Sequence, residues 1–251
     1  MLEQTLNTPS TTDARIAELP EPVRRYLQHA LPGGSQVTAG VRLRMTGRIK
    51  VGLWLPFVAE QDCNGRAFEW RARIGLGPLK PLEVVDRYAN GAGSVTGTLV
   101  GRYELFHQAD KDVDRSAAGR AALEAVFAPA SLLPGRGVYW SVRDNDHIVA
   151  TSYLGHEEID VHLRIGARGE LRTVSARRWG DIGKRLHGYL SFGGDMLAEQ
   201  RFGDLVIPSR FSVGWRYGTS HYKPFFQARI RDAQPRRCQL EEAPKCRHQL
   251  N

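Results

Sequence analysis

Glu124 stands among Ala121, Ala122, Ala125, Val126 and Phe127, an apolar setting for a carboxylate. Held in such an interior it binds its proton more tightly, which is one way to make a general acid or base that faces a cavity. Three quieter fates are open to it: a solvated helix face, pairing with Arg120 four residues earlier, or a buried structural ion pair. A second cluster is His107, Asp110, Asp112 and Asp114, where alternating acids beside a histidine could hold a cation or work as an acid–base pair. It lacks the glycine and distal glutamate of a calcium loop, and acids ahead of a helix also serve its free amides. In a third group Asp181 could orient His187 as a dyad, with Trp179 as the floor of a pocket. A turn holding a packing aromatic is the plainer reading there.

No other motif in the chain names a reaction. The Gly-x-Ser-x-Gly, phosphate-loop and dinucleotide glycine patterns are absent, so no hydrolase elbow, nucleotide site or nicotinamide site is expected. His156 and His162 match no zinc spacing and no Cys-x-x-Cys occurs, so neither a metal nor a cofactor is expected.

These residues need elements to hold them. The stretch Asp112 to Pro134 predicts a central helix, capped by Asp114 or Ser116 and halted by Pro129 and Pro134. Its Ala117, Ala118, Ala121, Ala122 and Ala125 form a thin flank on which sheet or ligand can approach the backbone. Leu19 to Pro32 predicts a short N-terminal helix, with Pro22 in its first turn and Val23, Tyr26, Leu27, Ala30 and Leu31 at helical spacing.

Elsewhere the period is two. Strands are expected over 41–51, 54–61, 67–74, 82–88, 94–107, 137–143, 147–153, 157–165, 171–178, 187–192, 196–202, 205–215 and 225–231. Asn64-Gly65 and Asn90-Gly91 read as hairpin turns. The fold class is therefore mainly β (α+β): a large curled antiparallel sheet or half-barrel wrapping a central helix, with an N-terminal helix. Tyr88, Tyr103, Trp140, Trp215 and Tyr217 fall on strands and, with Phe127 and Trp179, are the candidate ligand-binding aromatics. Aromatics on strands serve equally as core.

A chain of 251 residues suits one large β-rich domain, placed at 19–232, with a loose segment over 1–18 and a polar tail over 233–251. No apolar run approaches the roughly 20 residues of a membrane span, so stable membrane insertion is not expected. The N-terminus shows no basic leader and no apolar core, and Cys63, Cys238 and Cys246 form no framework, which points to the cytoplasm. The net charge of +8 invites nucleic acid, but Arg42, Arg44 and Arg48 alternate with apolar residues as the wet face of a strand does. Nucleic-acid binding is not expected.

Several segments are shared, in order, with a bacterial family of unknown function. They include Leu19-Pro-Glu-Pro-Val-Arg-Arg-Tyr-Leu, Trp54-Leu-Pro-Phe, Asp86-Arg-Tyr, Glu124-Ala-Val-Phe-Ala-Pro, Val138-Tyr-Trp, Arg178-Trp-Gly, Phe192-Gly-Gly and Ile207-Pro-Ser-Arg. The chain resembles that family over about residues 19–231. The resemblance implies a fold similar to lipoprotein-carrier proteins, in which a curled half-barrel wraps a helix and holds acyl chains. The family usually has tryptophan where this chain has Phe127.

Two functions follow from these observations. The first is a cofactor-free enzyme that takes an apolar small molecule into a β-barrel cavity for cyclisation, isomerisation or ring opening. Glu124 would be its acid or base, helped by His107, Asp112, Asp181 and His187. The alternative is a non-catalytic carrier or sensor of a lipid-like ligand.

Overall fold

Alternation of apolar and polar side chains makes most of this chain into strands with one dry face. The structure is a computed structural model and describes residues 15–32, 40–77, 80–183 and 186–236. The expected loose segment before residue 15 and the tail beyond residue 236, with Cys238 and Cys246, lie outside the described residues. In β3 (Phe68–Ile74) the side chains of Phe68, Trp70, Ala72 and Ile74 are buried while Arg71 and Arg73 face water.

The other strands are β1 (Gly40–Val51), β2 (Leu53–Cys63), β4 (Leu82–Ala89), β5 (Ala92–Leu99), β6 (Tyr103–Gln108), β7 (Val138–Val142) and β8 (His147–Leu154). They continue with β9 (Glu157–Ile165), β10 (Leu171–Gly183), β11 (Leu186–Phe202), β12 (Leu205–Trp215) and β13 (Lys223–Arg236). Among the described residues these strands form one curled antiparallel sheet in the order β6-β5-β4-β3-β2-β1-β13-β12-β11-β10-β9-β8-β7. The first and last strands pair at its centre, and β6 and β7 are its two edges. The chain must therefore travel from one edge to the other between Gln108 and Val138. Helix α2 (Lys111–Leu123) and two short 3-10 turns, Glu124–Phe127 and Pro129–Leu132, make that crossing. The helix touches β4 and β5 on one side and β8, β9 and β10 on the other, so it lies within the curl.

Small residues permit that fit. A Cβ added to Gly93 of β5 would stand 2.9 Å from both the Ala117 Cβ and the Val113 carbonyl oxygen. Helix α1 (Glu21–Ala30) fills the other half of the dry face. Its Val23, Tyr26, Leu27 and Ala30 are buried, and it rests on β7, β8 and β12. Full burial of Val23 and Leu27 contributes roughly 1.5–3 kcal/mol each. Outside, Arg42 and Arg44 of β1 stand directly across from Asp62 and Glu60 of β2 and bond to them, which accounts for part of the basic pattern.

Four expectations are corrected. The strand expected over 94–107 is two strands, because Val100 and Gly101 take φ of 54° and 63° and turn the chain between β5 and β6. Conversely, 187–192 and 196–202 form one bent strand, β11. Gly193 and Gly194 are paired within it where neighbouring backbone comes too close for a side chain: a Cβ on Gly194 would lie 1.9 Å from the Ser212 carbonyl oxygen. The cap of α2 is Asp110, which accepts from the Val113 N–H at 2.9 Å. Asp114 is occupied by the Gly93 N–H and Ser116 by Arg178. Finally, β13 runs to Arg236, so residues 233–236 belong to the sheet and not to a tail.

Candidate functional site

The ladder register sets a line of side chains across one half of the sheet. Gln61 of β2 stands opposite Trp70 of β3, and Trp70 stands opposite Asp86 of β4. Inward parity on each strand turns all three toward the helix, where they border a cavity of about 270 Å³. The remaining wall is largely apolar: Met45, Ile49, Val84 and Val95 on one side, Phe192, Met196, Phe211 and Val213 on the other, with Phe225 and Phe226 from β13. Leu123, Val126 and Phe127 close it from the helix end. The lining strands, β1 to β5 and β10 to β13, are contiguous in the sheet, so the cavity lies under the central seam.

Four ionisable side chains reach this space, and three are bound to one another. Arg120 donates from Nε to Glu124 Oε1 at 2.7 Å and from Nη1 to Asp86 Oδ2 at 2.5 Å. The other oxygen of Glu124 accepts from Gln61 Nε2 at 2.7 Å. The Arg120 guanidinium also lies over the Phe68 ring at 4.4 Å and the Trp70 ring at 5.5 Å. Burial raises the pKa of Glu124, and the attraction of Arg120 only partly opposes this. For Arg120 burial acts downward, but Glu124 and Asp86 outweigh it and hold the guanidinium charged.

The fourth group differs. Arg178 of β10 donates from Nε to the Ser116 carbonyl oxygen at 2.9 Å and from Nη2 to Ser116 Oγ at 3.2 Å. It lies over Phe192 at 4.8 Å and Trp215 at 5.1 Å. Burial and then Arg120 pull it down to about 10, which leaves it a cation at neutral pH. Gly119 makes its position available, since a Cβ there would stand 2.9 Å from Arg178 Cγ.

The expected residues divide sharply between inside and outside. Glu124 and Phe127 line the cavity, with Phe127 5.0 Å from Phe211. His107 is exposed on the edge strand, bonded to Thr96 Oγ1 at 2.9 Å. Asp181 stands opposite His187 in the β10–β11 ladder, but its carboxylate accepts from the Gly183 N–H. His187 is met instead by Asp112, Nδ1 to Oδ2 at 3.2 Å, and Trp179 Nε1 donates to the same aspartate at 2.7 Å. His107, Asp112, Asp181 and His187 therefore lie outside the cavity wall and do not converge on Glu124.

Most of the aromatic candidates also lie elsewhere. Tyr88 is buried beneath the Asn90-Gly91 turn, away from the cavity. Tyr103 is exposed on β6, and Trp179 holds the Arg115 guanidinium at 3.6 Å near the surface. Trp140 packs on Tyr26 and donates to the Leu132 carbonyl oxygen. Trp215 lies behind Phe192, and the Tyr217 hydroxyl donates to Asp195. Tyr88 and Trp215 share the inward parity of Asp86 and Val213, so position along the strand decides their fates, while parity was legible for Trp70 and Asp86. Each sits in an inward register, Trp70 between Phe68 and Ala72 and Asp86 between Val84 and Tyr88. A polar residue at such a place is the signal that picks out Asp86. For Arg178 the sequence carries only its place in the shared segment Arg178-Trp-Gly.

Among the described residues no group of histidines, cysteines and carboxylates could hold a metal, and no helix is long and apolar enough to cross a membrane.

One family model matches residues 17–234 of the chain. The chain belongs to a family of unknown function, DUF6920. No curated protein matches it. Among solved structures it is similar to a LolA superfamily protein from Nitrosomonas europaea, at 8% identity and a TM-score of 0.44 over 86% of this chain and 93% of that one. A candidate outer membrane lipoprotein-sorting protein domain from Vibrio parahaemolyticus gives 9% identity and a TM-score of 0.43, over 78% and 85%. A DUF1329 family protein from Desulfovibrio piger gives 9% and 0.40, over 86% and 94%. These likenesses concern the fold.

The expectation of an acid–base enzyme is corrected here by the geometry of the site. The site lacks the expected machinery. Glu124 is closed onto Arg120 and Gln61, and among the described residues no histidine borders the cavity.

Proposed function

We propose that this protein is a non-catalytic carrier or sensor that holds an apolar or amphipathic small molecule between the curled sheet and its central helix. The observation that carries this reading is the cavity of about 270 Å³, walled mainly by aliphatic and aromatic side chains. That size lies near the lower end of the roughly 300–1,000 Å³ typical of small-molecule sites. An apolar cavity offers a ligand the transfer free energy of its buried surface, about 25 cal/mol per Å², without any reaction. Both carboxylates within it are already bonded to Arg120 before a ligand arrives, which supports binding over proton transfer.

The test is extraction and mass spectrometry of protein purified under native conditions, together with titration of the neutral apolar dye N-phenylnaphthylamine. The expected result is a small molecule recovered unchanged, or saturable dye binding by emptied protein. Protein that is empty and also fails to bind the dye would overturn the reading.

A further inference from the structure

The apolar wall of the cavity contains two hydrogen-bond donors that the protein leaves without acceptors. Trp70 is 4% exposed and borders the cavity, yet its indole Nε1 has no hydrogen-bond partner. Buried donors are nearly always paired, and an unpaired one costs about 1–3 kcal/mol. Arg178 borders the same cavity and, among the described residues, forms no ion pair. Among the described residues its bonds go to the Ser116 carbonyl and hydroxyl oxygens through Nε and Nη2, and none of them offers Nη1 an acceptor.

The pattern of direct bonds points the same way. Asp86 and Glu124 are held by Arg120, with Gln61 on the remaining oxygen of Glu124. Neither carboxylate touches Arg178. A guanidinium brought into an apolar space without a direct counter-charge is costly, and an anion delivered by a ligand would relieve that cost. Guanidinium and indole N–H groups are donors only, so the complementary head group is an acceptor without hydrogens of its own.

We infer that the cavity binds a monocarboxylate amphiphile, a free acid of the fatty-acid class. Its carboxylate accepts from Arg178 and the Trp70 N–H, and its chain lies along Met45, Ile49, Phe211 and Val213. This inference rests on the carrier reading above and names the ligand class for the same cavity. The head group is selected by the wall guanidinium that has no direct ion pair among the described residues, and the tail by the apolar remainder. The protein's own ion pair between Arg120 and Glu124 sits beside this head-group site and keeps the neighbouring carboxylates from meeting the ligand as bare charges.

Isothermal titration of the full chain with decanoate, methyl decanoate and decanol at neutral pH tests this. Decanoate should bind at least about tenfold tighter than the ester or the alcohol. Arg178→Met should erase that preference and leave ester binding unchanged. Trp70→Phe, which keeps a ring and removes the N–H, should weaken decanoate about tenfold and the alcohol less. If acid and ester bind the wild-type protein equally, the head-group assignment is overturned while the carrier reading stands. If none of the three binds and N-phenylnaphthylamine does not bind either, both fall. The ligand series on the unaltered protein decides the matter even if Arg178→Met fails to fold.

Discussion

Arg120 and Glu124 stand one helical turn apart and close a 2.7 Å ion pair beneath the sheet, facing the cavity and not the solvent. On an open helix the same spacing contributes about 0.3–0.5 kcal/mol. Here each side chain is less than one-fifth exposed, Asp86 shares the guanidinium, and Gln61 holds the far carboxylate oxygen. Burial converts an ordinary surface motif into a clamp between the end of α2 and strands β2 and β4.

Breaking that clamp should be costly. Glu124→Ala leaves Arg120 with one carboxylate and Gln61 with none, and we expect a loss of about 3–5 kcal/mol in unfolding free energy. Urea denaturation of the two proteins measures it. A loss below about 1 kcal/mol would mean that the pair contributes no more than a surface one.

Glu124 should also leave a signature in the pH dependence of stability. Its folded pKa lies above the ordinary value of 4.5, so the folded state holds this proton more tightly than the unfolded chain does. Stability from that source is fully present below pH 4.5 and is lost as the pH rises through the folded value. Glu124→Gln is neutral throughout and lacks this slope. The wild-type stability relative to the variant should therefore decline from pH 4.5 toward neutrality; a rising difference would reverse the sign assigned to burial.

Phe127→Trp enlarges the ring at the end of the cavity. Phe127 is buried against Phe211 with ring centres 5.0 Å apart, so the added ring must enter the cavity. We expect affinity for N-phenylnaphthylamine to fall about tenfold, which is roughly 1.4 kcal/mol. Unchanged affinity would place the ligand elsewhere.

The cap of α2 is separable from the cavity. Asp110→Ala removes the acceptor of the Val113 N–H and should cost about 1 kcal/mol of stability. Thermal unfolding reads that cost, and dye binding measured well below the transition should not change.

His107→Ala and His187→Ala complete the set. Both side chains sit outside the cavity, one on Thr96 and the other on Asp112. Each change should alter stability by no more than about 0.5 kcal/mol and leave ligand retention as it was. A loss of retention in either variant would show that the outer face takes part in binding.

Periodicity made the fold legible. Strand alternation, the two helices and the glycine turns are local properties, and each is set by side-chain volume and backbone preference within a few residues. The Asn90-Gly91 turn has φ of 54° and 82°, a conformation that these two residue types adopt at low cost. Glu124 stood out for a local reason as well, being a carboxylate in an alanine-rich helix. Where the reading of the chain failed, the deciding contacts were distant in sequence. Asp110 caps α2 because Asp114 is drawn to Gly93 and Ser116 to Arg178.

The sequence by itself determined the strands, the helix that crosses the sheet and the inward parity of Trp70 and Asp86. Only the tertiary structure decided what those inward groups meet. The register of β2, β3 and β4 aligns Gln61, Trp70 and Asp86, and the passage of α2 from one sheet edge to the other sets Arg120 and Glu124 against them. Pairing between strands joins residues with no fixed separation along the chain. The partner that neutralises a buried charge, or leaves Arg178 without one, is therefore a property of the closed sheet and not of any single segment.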